Sequence, residues 1–235
     1  MEIKRFENEE AIAIATADLF CEHLKNKPES VLCVAAGHSS IGPLKILVER
    51  YERGEVDFSK AKFIAMDEWL HMNETVPGSC GDFLHKNFLD RVNFAPENIR
   101  LIDGCAEDMD AECAALKADI EKAGGFDIIL LGMGMNGHLA LNEPGTPFDS
   151  TVHTTQLDPI TKEVGKKYFE DVPQLTGGVT IGLGDMAEGK DVVLIVFGEK
   201  KREIIGKLLA SEPTTELPAS FLKTVPQARI WHDLA

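Results

Sequence analysis

The chain has 235 residues, 44% of them hydrophobic, and a formal net charge of −15. That length can bury one substantial core and no Pro/Ser-rich linker interrupts it, so residues 1–235 are expected to form a single domain. The charge repels polyphosphate and argues against a nucleic-acid partner, and no apolar run reaches the ~18 residues that span a bilayer.

Between Glu9 and Leu24 the apolar residues Ile12, Ile14, Ala15, Leu19 and Phe20 recur at helical spacing. Ser30 to Ala36 is a short apolar strand that runs into Gly37-His-Ser-Ser40, and helical periodicity resumes from Pro43 to Arg50. The alternation continues: strand Lys62–Met66, helix Gly81–Leu89, strand Ile99–Ile102, helix Asp108–Ala123 and strand Phe126–Leu131. Gly178–Gly182, Asp191–Phe197 and Arg229–Trp231 supply three more strands, with a helix over Lys200–Ala210 between the last two. Strands alternating with helices predict parallel βαβ units, hence an α/β fold: a three-layer αβα, Rossmann-like, mostly parallel sheet of about seven strands. The five cysteines show no C-x-x-C spacing and read as reduced thiols, and the acidic start lacks the shape of a signal peptide; both point to a cytoplasmic protein.

Chemistry is concentrated in Gly132-Met-Gly-Met-Asn-Gly-His-Leu-Ala-Leu-Asn-Glu-Pro-Gly145, which follows the apolar run Phe126–Leu131. Glycines at a strand end let the backbone turn sharply and bring a ligand close to the main chain. In open α/β sheets, ligands sit at the carboxyl ends of the strands. His138 follows that turn with Glu143 close by, and a carboxylate that orients an imidazole is a familiar route to a general base. Gly37, His38 and Ser39 stand between a strand and a helix, where free N–H groups and hydroxyls can seat a phosphate. Gly and Ser serve equally as turn and cap residues, and no Walker A ending is present. Asp67, in Met66-Asp-Glu-Trp69, lies at a strand's carboxyl end, where partial burial raises a carboxylate pKa toward that of a usable base. Lys201 follows a strand on the same face, a candidate to reach a phosphate. No cluster has metal-ligand spacing and no G-x-G-x-x-G opens the first helix, so neither metal nor dinucleotide cofactor is expected.

Together these segments resemble the glucosamine-6-phosphate deaminase/isomerase family over nearly the whole chain. The family's Thr-Gly-Gly-Thr-Pro, Met-Asp-Glu-Tyr and Gly-x-Gly-x-Asp-Gly-His-Ile-Ala-Phe-Asn-Glu-Pro appear here as Ala36-Gly-His-Ser-Ser40, Met66-Asp-Glu-Trp69 and Gly132 to Pro144. The resemblance implies a cofactor-free aldose–ketose isomerisation of a hexosamine 6-phosphate with loss of ammonia. Asp67 would move a proton between C2 and C1, and His138, oriented by Glu143, would open the pyranose ring. Gly37, His38, Ser39 and Lys201 would hold the phosphate, with Lys167 where the family has an arginine. Asn136 replaces the family's acidic residue before Gly-His, and an amide cannot supply the same charge. Thr151 and His153 stand where allosteric hexameric members carry effector-binding arginines, which leaves a monomer or a homo-oligomer open. Asn136-Gly-His-Leu139 with Pro218-Ala-Ser-Phe-Leu222 looks closer to the galactosamine-6-phosphate branch, whose product is tagatose 6-phosphate rather than fructose 6-phosphate. The alternatives are a 6-phosphogluconolactonase, which shares the Gly-His turn but continues differently, and a non-catalytic sugar-phosphate sensor.

Overall fold

The computed structural model describes residues 1–170 and 174–234. Its first half contains β1 (Glu2–Arg5), α1 (Glu9–Asn26), β2 (Val31–Val34), α2 (His38–Glu52), β3 (Lys62–Ile64), β4 (Asp67–Trp69), α3 (Cys80–Asn87), β5 (Ile99–Arg100) and α4 (Met109–Ala123). There follow β6 (Ile128–Leu131), β7 (His153–Gln156), α5 (Pro159–Gly165), β8 (Gly177–Thr180), α6 (Leu183–Ala187), β9 (Asp191–Val196), α7 (Arg202–Ala210) and β10 (Ala228–His232).

Seven strands form one sheet in the order β1-β10-β9-β6-β2-β3-β5, every pair parallel. With its flanking helices this is the expected three-layer α/β architecture. The central strands β2 and β6 are buried at every position, as strands covered on both faces must be. Helix ends are set by local chemistry: the side chains of Asn8, Ser79 and Asp108 accept from the N–H groups of Ala11, Asp82 and Ala111 at 2.9, 3.0 and 2.9 Å. Gly124, at φ 87°, ends α4 in the left-handed conformation that glycine favours.

Two strand assignments differ from the sequence expectation. The run Gly178–Gly182 does not join the parallel sheet; β8 is the middle strand of a separate antiparallel sheet, β4-β8-β7. Buried glycine, valine and threonine mark an internal strand of either kind, so composition does not reveal which sheet receives it. The seventh parallel strand is instead β1, whose four residues are exposed and show no alternation; it is held by main-chain pairing to β10, with Glu2 opposite Arg229 and Arg5 opposite His232. Boundaries shift as well. α2 begins at His38, five residues before Pro43, and the strand at Ile99 closes after Arg100. The β3 strand leaves the main sheet after Ile64 and enters the second sheet at Asp67, with the Ile181 N–H bonded to the Met66 carbonyl at 2.9 Å.

Candidate active site

The strand order reverses at the β2–β6 pair: the chain proceeds outward through β3 and β5 on one side and through β9 and β10 on the other. Loops that leave adjacent strands in opposite directions open a crevice at their carboxyl ends. Here those loops are Ala35–Gly37 and Gly132–His138, and they border a cavity of about 890 Å³. They meet closely: a Cβ on Gly132 would lie 2.9 Å from Ser39 Oγ, so only glycine leaves that seam unstrained.

Asp67 lines this cavity as the first residue of β4. Its neighbour Glu68 points inward and is 2% exposed, consistent with strand alternation. The Glu68 carboxylate accepts the N–H groups of Trp69 and Cys80 at 2.8 and 3.0 Å and of Gly81 at 2.8 Å, tying β4 to the N-terminus of α3. Burial nevertheless pushes the Glu68 pKa up, against the pull of those donors. Asp67 is pushed up to about 7, first by burial and then by the negative charge of Glu68, while a hydrogen bond from the Cys80 thiol acts the other way. A carboxyl group with that pKa exchanges protons readily near neutral pH. Of the two adjacent acids, the structure therefore makes one a helix anchor and presents the other to the cavity.

His138 enters from the opposite wall. Its turn depends on two glycines. A Cβ on Gly134 would lie 2.3–2.5 Å from the imidazole ring atoms, and Gly137 sits at φ 85° with Leu217 against its α-carbon. The imidazole Nδ1 is 3.5 Å from Glu143 Oε2 and 3.1 Å from Thr161 Oγ1. Glu143 does not line the cavity but stands behind the imidazole, 6% exposed, with Oε1 accepting the Asp158 N–H at 3.1 Å. Asn136 donates from Nδ2 to Glu143 Oε2 at 2.8 Å and accepts the His138 N–H on Oδ1 at 3.2 Å. Burial raises the Glu143 pKa, but hydrogen bonds and charge from His138, Thr161 and Asn136 outweigh it and hold the carboxyl below its ordinary value. The amide at 136 thus supports the histidine through the carboxylate, by donating to it, rather than with a charge of its own.

The third wall is cationic. Gly37 caps α2, and His38 and Ser39 form its first turn, where main-chain N–H groups have no partner within the helix. Lys201 Nζ reaches the Met133 carbonyl, and its pKa is lowered to about 8 by burial and then by the positive charge of Lys167. Lys167 is lowered too, by burial and by Lys200, and its ammonium lies 4.9 Å from the centre of the Tyr168 ring. Among the described residues neither Lys167 nor Lys201 has a carboxylate partner. The partly buried Lys201 and the more exposed Lys167 beside a helix N-terminus form a site for a dianion, since an anion there offsets the repulsion that Lys167 exerts on Lys201.

Asp67, His138, Gly37, His38, Ser39, Lys167 and Lys201, all singled out in the sequence, line this single cavity, with Asn136 and Glu143 behind the imidazole. Thr151 and His153 lie elsewhere, at the edge strand β7 and the loop before it. The sequence reading missed Cys80, Thr161 and Tyr168. Burial, followed by the charges of Cys80 and Asp67, pushes the Tyr168 pKa up to about 12, against a smaller pull from the His38 main chain. Neither Thr161 nor Tyr168 belongs to a Gly-rich or acidic motif, although Tyr168 directly follows Lys167. No group of three or more His, Cys, Asp or Glu side chains among the described residues could hold a metal ion.

Fold and cavity define a Rossmann-like α/β protein with a carboxyl group and a buttressed imidazole facing an anion seat at the sheet's switch point. Residues 7–231 match the model of the family described as glucosamine-6-phosphate isomerases/6-phosphogluconolactonase. The chain is 41% identical over 215 residues to a glucosamine-6-phosphate deaminase of Lysinibacillus sphaericus, covering 91% of each chain. A protein of the same name from Thermoanaerobacter pseudethanolicus is 35% identical over 226 residues, covering 95% of this chain and 88% of that one. A solved structure of a monomeric glucosamine-6-phosphate deaminase superposes with a TM-score of 0.94 at 27% identity, over 99% of this chain and 97% of the other. A 6-phosphogluconolactonase of Thermotoga maritima shares the fold, with a TM-score of 0.76 at 18% identity over 98% and 96% of the two chains. The chain belongs to the glucosamine-6-phosphate isomerase/6-phosphogluconolactonase family.

Proposed function

We propose that this chain is an amino-sugar-phosphate deaminase/isomerase that converts a hexosamine 6-phosphate and water into a ketohexose 6-phosphate and ammonia. The observation that carries this reading is the convergence of Asp67, the His138–Glu143 pair and the Lys167–Lys201 anion seat on one cavity. His138 passes the anomeric hydroxyl proton to the ring oxygen, which opens the pyranose to the aldehyde. Asp67 takes the C2 proton as the carbonyl oxygen gains one, giving an enolamine. Asp67 then returns its proton to C1, which leaves a ketimine at C2. Water adds there and ammonia departs, so atoms balance without any change in oxidation state overall. The phosphate holds the sugar through the His38 and Ser39 N–H groups, Ser39 Oγ and the two lysines, fixing C1 and C2 between acid and imidazole.

Glucosamine 6-phosphate is the substrate we assign, because the relatives at 41% and 35% identity both carry that specificity in their names. The resemblance of Asn136–Leu139 and Pro218–Leu222 to the galactosamine branch makes galactosamine 6-phosphate the comparison. A single-domain monomer in the cytoplasm accords with the structural relative described as monomeric and with the unpaired cysteines. The test is a coupled ammonia assay with both epimers beside acid release from 6-phosphogluconolactone. Ammonia from glucosamine 6-phosphate alone supports the assignment; ammonia from the other epimer moves the specificity; acid release without ammonia replaces the function with lactone hydrolysis.

A further inference from the structure

The histidine–glutamate pair has a third member. Thr161 is 4% exposed, and its hydroxyl is nearer to His138 Nδ1, at 3.1 Å, than Glu143 Oε2 is, at 3.5 Å. The same hydroxyl is near enough to the Glu143 carboxylate to help hold its pKa down. An ionised carboxylate only accepts, so the ring nitrogen that faces Glu143 is the one to carry a proton, and the Thr161 oxygen has lone pairs to accept it as well. Nδ1 therefore faces two acceptors, a hydroxyl oxygen and a carboxylate oxygen, and carries the ring proton. At 3.5 Å the carboxylate alone is beyond good hydrogen-bond range, which leaves the hydroxyl oxygen as the closer acceptor for that proton. We infer that Thr161 is a positioning residue that holds His138 as the Nδ1–H tautomer, leaving the Nε2 lone pair to face the cavity as the base for ring opening.

The kinetic part of this inference rests on the proposed deaminase reaction; the tautomer does not. Nitrogen-15 NMR of the histidine ring at pH 8, on protein without substrate, reads the tautomer directly. Wild type and Thr161→Ser are expected to show Nδ1 protonated and Nε2 bare, and the near-isosteric Thr161→Val to show a mixture. With substrate, Thr161→Val is expected to lose about tenfold to a hundredfold in kcat, at or below the low end of the ~10²–10⁴ that acid–base catalysis contributes, with KM changed by less than about twofold. Thr161→Ser should restore kcat to within about threefold of wild type. If valine is not accommodated, Thr161→Ala read against Thr161→Ser makes the same comparison. An unchanged tautomer in the hydroxyl-free variant, or a rise in KM at constant kcat, overturns the inference. A wild-type protein that releases no ammonia sinks the proposed reaction instead, and the NMR result then decides the role of Thr161 alone.

Discussion

Replacing Asp67 by asparagine is expected to stabilise the folded chain at pH 8 while nearly abolishing turnover. In the folded state this carboxyl titrates at about 7 instead of the ordinary 3.8, mainly because burial disfavours its charge. Below pH 3.8 it is neutral in folded and unfolded chains alike. Between 3.8 and about 7 the unfolded chain has released a proton that the folded chain retains, so stability declines as pH rises. Above about 8 the decline is complete. A tenfold change in proton affinity is worth about 1.4 kcal/mol, which sets a ceiling of about 4 kcal/mol for the whole span. Water in the cavity screens part of that charge, and about 2–4 kcal/mol is the expected difference at pH 8. Asparagine has the same shape and no charge, so subtracting its urea-unfolding free energy from that of wild type at pH 4, 6 and 8 isolates this group from all other titrations. The variant should gain over wild type progressively along that series, and its kcat should fall by about 10²–10⁴, the contribution of a positioned base. A stability difference that stays constant from pH 4 to 8 would refute the claim that the site holds Asp67 in a destabilised ionised form.

Glu68→Gln leaves one of three main-chain donors without an acceptor and should cost about 1–3 kcal/mol in denaturant unfolding. It also removes the charge that helps raise Asp67, so the acid limb of kcat/KM should move below pH 7; a limb that stays in place would separate the two residues. Asn136→Asp sets a second carboxylate where the amide now donates to Glu143 at 2.8 Å, and the pair must then share a proton. Its pH–rate profile should lose activity on the acid side at higher pH than wild type, and an unchanged acid limb would count against the Asn136–Glu143 contact. Lys201, lowered to about 8, loses its charge above that pH and weakens phosphate binding, so kcat/KM should fall on the alkaline side. In Lys201→Met, KM should rise about tenfold or more and that alkaline limb should vanish, with the limb near pH 7 retained. Thr151 and His153 offer no arginine for an effector phosphate, so N-acetylglucosamine 6-phosphate should leave the saturation curve hyperbolic; a sigmoidal curve that turns hyperbolic on its addition would contradict this.

The parallel core and the chemical turn were legible in the amino-acid order because both arise from local patterns. Apolar runs such as Ile128–Leu131 are strands buried on both faces, while Gly134 is required by the imidazole four residues on and Gly137 by its positive φ. Asp67 could be placed at a strand end for the same reason. Which sheet a strand joins is not a local property. β1 is polar and exposed, and it belongs to the sheet only because β10 presents a free edge; β8 has the composition of a core strand yet pairs antiparallel with β4 and β7. Likewise Glu68 differs from Asp67 only by facing the N-terminus of α3, and Thr161 touches His138 across 23 residues of chain. Burial patterns, caps and turns are written within one element, whereas hydrogen-bond partners, desolvation and the neighbours that shift a pKa come from chain segments brought together only when the whole sheet closes.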